Sequence, residues 1–79
     1  MIDPPTLAKG DQVTLTWNGI EHRAAIVMAS SNSVGILVEF AGVIGGFFNA
    51  APLLWDEDHG TYRTVVGRVP VQVRKVLHA

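Results

Sequence analysis

Apolar and polar residues alternate with a period of two in the first third of the chain. The segment Val13–Trp17 (VTLTW) alternates strictly, and a second strand-like segment over residues 20–28 follows the dipeptide Asn18-Gly19. Alternation of this kind is typical of a strand with one buried face. A type I′ turn requires positive φ at both central residues, so Asn-Gly between two such segments predicts a two-residue β-hairpin.

The length of this turn fixes which residues of the hairpin are opposite each other. Trp17 is expected opposite Ile20, Leu15 opposite His22, and Val13 opposite Ala24. The face predicted to be buried carries Val13, Leu15, Trp17, Ile20, Ala24, Ile26 and Met28, and the other carries Thr14, Thr16, Glu21, Arg23, Ala25 and Val27.

The rest of the chain predicts further short strands separated by turn residues. The predicted strands are Val34–Phe40, Leu53–Trp55, Tyr62–Val66 and Val71–Val76. The glycine-punctuated segment Ala41–Asn49 is predicted to be an apolar loop. No segment keeps helical spacing over three turns, so at most one short helical turn is expected.

Five to six short antiparallel strands in about 70 residues favour a closed barrel, because closure removes the exposed strand edges. The segments Lys9-Gly10-Asp11-x-Val13 and Pro70-Val71-x-Val73 resemble the first and last strands of SH3-like barrels. We therefore predict an all-β chain with one small SH3-like barrel over residues 9–77. A flexible arm is expected at residues 1–8.

A second resemblance lies in two longer segments. The sequences LVEFAGVIGGFFNAAPLLW (residues 37–55) and GRVPVQV (residues 67–73) are similar to small uncharacterised proteins of bacterial and phage genomes. The resemblance implies a bacterial or phage origin and carries no activity with it.

Composition narrows the class of protein. The chain has 79 residues, of which 48% are hydrophobic and 16% charged, and it contains no cysteine. One domain is therefore expected, with no disulfide, no cysteine-based zinc site and no thiol nucleophile. Its uncharged runs are shorter than a membrane-spanning helix requires, and no signal peptide is recognisable. We expect a cytoplasmic protein without a membrane partner.

Many of the apolar residues are concentrated in the segment Ala41–Trp55, which contains no charged residue. The predicted loop either folds back to cap the barrel or exposes Ile44, Phe47 and Phe48 as a patch for a partner. Capping is slightly favoured for Phe48, and exposure for Ile44 and Phe47. Large exposed apolar patches mark interaction sites. The main hypothesis is a non-catalytic module for self-association or protein binding. Its predicted contact residues are Ile44, Phe47, Phe48 and Trp55, with Arg68 and Arg74 at the rim.

Charge is unevenly distributed and supports an alternative function. Residues 1–58 carry seven acids and two bases (−5), and residues 59–79 carry four bases and no acid (+4). Nucleic-acid binding through Arg63, Arg68, Arg74 and Lys75 is therefore an alternative. The competing interpretation is that these bases pair with acidic neighbours such as Glu21 or Glu39.

Catalysis and metal binding have less support in the sequence. Val71-Gln72-Val73-Arg74, with the segment from Lys9 to Val13, resembles plasmid-borne dihydrofolate reductases, whose tetramer encloses a pore. That family has a tyrosine where this chain has Arg74. The turn Asp56–His59 lacks the ligand spacing of a calcium loop, and His22, His59 and His78 show no mutual ligand spacing. We expect no cofactor, no metal and no catalytic residue.

Overall fold

The computed structural model describes residues 2–77 as a closed barrel of six antiparallel strands. Met1, the first residue of the predicted arm, and His78 lie outside the described residues. The strands are β1 (Gln12–Trp17), β2 (Ile20–Ala29), β3 (Gly35–Ile44), β4 (Phe47–Asp56), β5 (Thr61–Thr64) and β6 (Pro70–Lys75). Each strand pairs with the next, and β6 closes the barrel against β1. The prediction of a small all-β barrel is confirmed.

The β1–β2 hairpin forms as the alternation predicts. Trp17 is opposite Ile20, and Val13 is opposite Ala24. Asn18 and Gly19 have φ values of 52° and 78°, as a turn with positive φ at both positions requires. Ile20 is nevertheless 60% exposed, because it lies at the end of the hairpin next to the turn. The prediction that Ile20 is buried is wrong.

A β-bulge in β2 reverses the orientation of its last residues. Ile26 is opposite Val38, but Met28 is opposite Leu37, so β2 gains one residue relative to β3. An extra residue shifts the alternation by one position. Met28 is consequently 64% exposed, and its predicted burial is wrong.

The segment predicted to be a loop, Ala41–Asn49, instead forms the end of the β3–β4 hairpin. Gly45 and Gly46 make a two-residue turn with φ values of 57° and 86°. A second irregularity separates the Glu39–Ala50 and Val43–Phe48 pairs. It is held by Asn49, whose side-chain Oδ1 accepts a hydrogen bond of 3.0 Å from the backbone N–H of Gly42.

The expected positions of the large residues in this hairpin are reversed. Ile44 is buried in the core, so the prediction that it is exposed is wrong. Phe47 is half-buried, and its ring centroid lies 5.9 Å from that of Trp17. Phe48, expected to cap the barrel, is 72% exposed. The Gly-Gly turn sets this outcome, because it directs Ile44 and Phe47 inward and Val43 and Phe48 outward.

The segment before β1 lies against the barrel. Leu7 is buried in the core cluster, so the core begins before the predicted domain start at Lys9. Ser33 is buried too, and its hydroxyl accepts a bond from the N–H of Leu7 and donates one to its carbonyl, at 3.0 and 3.1 Å. The hydroxyl of Tyr62 donates to the carbonyl of Ser33. A buried polar network therefore joins this segment to the β2–β3 turn and β5.

The strand predicted over Tyr62–Val66 ends at Thr64. The hydroxyl of Thr64 donates to the carbonyl of Val66 and accepts from the N–H of Val69, which closes the turn to β6. Val65 and Val66 are left exposed in that turn. Among the described residues, no helix is long and apolar enough to cross a membrane.

Candidate interaction surface

The outer surface of the barrel is divided into two chemically different sides. The outward positions of β5, β6 and β1 are mostly polar: Thr61, Arg63, Gln72, Arg74, Gln12, Thr14 and Thr16. This side can be hydrated without cost, because its side chains form hydrogen bonds with water.

Four outward residues of β2, β3 and β4 form an apolar face, which consists of Met28, Leu37, Pro52 and Leu54. Met28, Leu37 and Pro52 are direct cross-strand neighbours in one row. Leu54 lies in the next row opposite Gly35, where a Cβ would lie 3.6 Å from the Leu54 Cδ2. The side chain of Leu54 therefore extends toward β3 over the glycine.

The apolar character continues along the same strands. In the row on the other side of Leu37, Glu39 lies between Ala25 and Ala50. Beyond it, the exposed residues Val43 and Phe48 form a cross-strand pair at the end of the β3–β4 hairpin. Parts of three neighbouring strands thus present small and large apolar side chains at the surface, with Glu39 among them and the exposed Glu21 and Arg23 on the first half of β2.

The predicted contact residues are not brought together. Ile44 is in the core, and Phe47 packs on Trp17. Trp55 is half-buried, with its ring 4.9 Å from that of Tyr62, and its indole N–H donates to the carbonyl of Ile2 at 2.7 Å. Of the four apolar residues predicted for the contact, Phe48 alone is exposed.

The two arginines predicted for the rim are also apart. Arg68 lies in the β5–β6 turn, and Arg74 lies on β6 beside Glu21 of β2, across β1. The Nη2 of Arg74 lies 2.8 Å from the Glu21 Oε1, and the Nζ of Lys75 lies 3.4 Å from the Asp11 Oδ2. The expectation that bases of the last strand pair with acidic neighbours is confirmed for these two.

Asp11 is held by its own turn as well as by Lys75. Its carboxylate accepts a hydrogen bond of 2.9 Å from the N–H of Ala8. This backbone bond, together with the hydrogen bond and charge of Lys75, lowers the pKa of Asp11, and desolvation opposes the shift. Pairing in this way reduces the positive charge that a nucleic-acid strand would meet along β6.

The β4–β5 turn orders an acid and a histidine. The Asp56 Oδ1 accepts bonds from the backbone N–H groups of Asp58 and His59, at 3.1 and 3.3 Å. The Asp56 Oδ2 lies 2.8 Å from the His59 Nδ1. These bonds, of which the one to the imidazole is the largest influence, lower the pKa of Asp56. Among residues 2–77, no group of three His, Asp or Glu side chains could hold a metal ion.

A surface cavity of about 190 Å³ lies between this turn and the β5–β6 turn. Its lining residues are Asp56, His59, Thr61, Arg63, Arg68 and Pro70. The two remaining arginines of the predicted nucleic-acid set are thus brought together here, away from Arg74 and Lys75.

The residues that resemble the reductase family lie on β6. Val71 is buried in the core, and Gln72 is exposed on the polar side of the barrel. Gln72 lines a cleft with Thr16, Asn18 and Thr61 among others. No protein-family model, curated protein or solved structure matches the chain.

The apolar face has a signal in the sequence that alternation alone does not show. Residues 34–40 (VGILVEF) and 50–55 (AAPLLW) have apolar residues at successive positions, which indicates strands that are apolar on both faces. The inward set fills the core, and the outward set of Leu37, Pro52 and Leu54 lies at the barrel surface.

Proposed function

We propose that this barrel works by binding rather than by catalysis, and that it self-associates through its apolar face. The observation that supports the proposal is the contrast between the two sides of the barrel. Three neighbouring strands carry the exposed residues Met28 and Pro52 and the half-buried residues Leu37 and Leu54, whereas the opposite side is polar. Contiguous exposed apolar surface on a small chain is typical of an interface.

The chemistry of this face is suited to a second copy of the chain. Homodimer interfaces are more apolar than the rest of the surface, and sheets stack face to face about 10 Å apart. A standard interface buries about 800 Å² on each partner. That is roughly a sixth of the 5143 Å² surface of this chain, and the apolar face spans three of the six strands.

In a dimer with two-fold symmetry, each contact of the interface occurs twice. In an isologous dimer the same patch is used on both copies, so a residue at its centre is buried in duplicate. Burying one methionine side chain contributes roughly 1.5–3 kcal/mol. Met28 is 64% exposed in the single chain, so two copies would contribute on the order of 3 kcal/mol to association.

The proposal is tested with a charge placed on the apolar face. Met28→Glu puts two like charges into the contact without touching the core, because the side chain already points to solvent. We expect the wild-type chain to dimerise with rising concentration in sedimentation velocity experiments. Met28→Glu should weaken dimerisation by roughly a hundredfold or more.

Gln72→Glu is the matched control, because it adds one carboxylate at an exposed position of the polar side. This variant should dimerise like the wild type. A wild-type chain that sediments as a monomer from micromolar to millimolar concentrations would contradict the proposal. A dimer that Met28→Glu leaves intact would contradict the assignment of the surface.

A further inference from the structure

Arg63 is a half-buried cation without a protein partner. It lies on β5 opposite Leu54 and Pro70, and its guanidinium makes no hydrogen bond or ion pair with residues 2–77. A partly desolvated guanidinium with five N–H donors is normally paired, because leaving its donors unsatisfied is costly. The N–H donors of Arg63 are therefore free to bind water or an external acceptor in the cavity that it lines.

Arg68 lines the same cavity and has an unfavourable backbone conformation. Its φ is 51°, and it follows Gly67 at 85°. Glycine and asparagine adopt positive φ easily, whereas a long side chain does so at a cost. Residues held in such conformations are concentrated at functional sites. This backbone conformation occurs in the turn that brings a second arginine to the cavity lined by Arg63.

The carboxylate in the cavity does not satisfy these arginines. Both oxygens of Asp56 are occupied within its own turn, by the backbone N–H groups of Asp58 and His59 and by the imidazole of His59. The side chains left to face a ligand are two guanidinium groups and the far side of the His59 ring. Arg63 and Arg68 therefore have N–H donors without a protein acceptor among residues 2–77.

We propose that this cavity binds a small tetrahedral oxyanion, either inorganic phosphate or the phosphoryl group of a phosphate monoester. Guanidinium groups recognise phosphate oxygens through paired N–H bonds. Glu57 and Asp58 line the adjoining cavity with Arg63 and Arg68. The carboxylate of Asp56, which lines the cavity itself, and those of Glu57 and Asp58 repel an extended polyanion, whereas for a single oxyanion the two guanidinium groups offset this repulsion. The site is thus suited to one phosphoryl group and not to a nucleic-acid strand.

The site is tested by NMR titration of the ¹⁵N-labelled chain. Inorganic phosphate and phenyl phosphate are the two ligands, and sodium chloride at matched ionic strength is the control for screening. We expect saturable shifts confined to residues 56–70 with phosphate and none with chloride. Tighter binding of phenyl phosphate would identify a monoester as the preferred source, and tighter binding of inorganic phosphate would identify the free ion.

Two variants remove one guanidinium each, and a third is the control. Arg68→Asn keeps a residue that tolerates positive φ, so the turn should be preserved while the charge is lost. Arg63→Gln removes the charge on β5. Each variant should weaken phosphate binding by about tenfold or more. Arg74→Gln, which removes an arginine already paired with Glu21, should bind like the wild type.

Three results would overturn the proposal. They are shifts that never saturate, shifts of equal size with chloride, and unchanged binding in Arg68→Asn. Should Arg63→Gln fail to give the dispersed spectrum of a folded barrel, Arg68→Asn decides the question alone, because its position lies outside the strands.

Discussion

Replacing Gly45 with alanine tests how the Gly-Gly turn closes the end of the barrel. A Cβ at Gly45 would lie 2.7 Å from the Cζ2 of Trp17 and 2.8 Å from its Cε2 and Nε1. Trp17 is 2% exposed and packs against Phe47. The indole ring therefore has no free space to move into, and the turn itself must shift.

The expected loss of stability has two parts. An alanine at positive φ costs roughly 1–2 kcal/mol. Overpacking against a fixed ring costs roughly 1–3 kcal/mol more. Gly45→Ala should therefore lower the free energy of unfolding by roughly 2–5 kcal/mol. Urea denaturation followed by far-ultraviolet circular dichroism measures this change, with a lower midpoint and an unchanged slope.

Gly46→Ala separates the two parts. Gly46 also has positive φ, at 86°, but nothing lies within 4 Å of a Cβ built on it. This variant should lose only the backbone part, roughly 1–2 kcal/mol. If Gly46→Ala were as destabilising as Gly45→Ala, the contact with Trp17 would not be what constrains the turn. In that case the refutation would be clear, because the φ of 57° at Gly45 is the easier one for alanine.

Two further predictions concern titrating groups. Burial raises the pKa of Tyr62 from 10.0 to about 12. The protonated Tyr62 side chain therefore stabilises the fold fully below pH 10, and this contribution is lost as the pH rises from 10 to 12. Tyr62→Phe should abolish this alkaline loss in urea titrations. At neutral pH it should cost roughly 1–2 kcal/mol, because the carbonyl of Ser33 loses its donor; a full alkaline loss in Tyr62→Phe would refute the assignment. The bond to His59 lowers the pKa of Asp56 below 3.8. The ionised Asp56 carboxylate therefore stabilises the fold above pH 3.8, and this contribution is lost as the pH falls below that value. His59→Ala should move the NMR midpoint of the Asp56 carboxyl back toward 3.8, and an unmoved midpoint would show that the backbone bonds dominate.

Local sequence patterns predicted the fold correctly where the residues favour a single backbone geometry. Asn18-Gly19 between alternating segments specified the turn and the register of the first hairpin, and both are found. The strand pattern with turn residues at regular intervals also predicted the closed barrel. These features depend on residues that are close in the sequence. Alternation and turn residues were therefore sufficient to predict them.

The predicted positions of individual side chains are wrong where the alternation is interrupted. A bulge inserts one residue between Ile26 and Met28, and no residue in that stretch marks it, so Met28 was placed on the wrong face. Gly45-Gly46 does carry a hairpin signal. Its neighbours Gly42 and Asn49 made the segment resemble a loop, so Ile44 was predicted to be exposed instead of buried.

The candidate sites were predicted less well than the fold, because they depend on strands that are distant in sequence. The apolar face combines Met28 with Leu37 and Pro52 through two pairings that only the register reveals. The cavity beside Arg63 and Arg68 forms because two turns meet at one end of the barrel. Neither arrangement is marked by a motif.

The order of the strands gives the barrel a single seam. Five of its six pairings join strands that are consecutive in the chain, and only the β1–β6 pairing, with Trp17 opposite Val71, joins distant segments. Hairpins can therefore assemble one after another, but the ring closes in one step that brings the two ends together. Closing a long loop is slow because it costs chain entropy. A circular permutant opened at Gly45-Gly46 would move this seam to β3–β4, and the rate-limiting contact of folding should move with it.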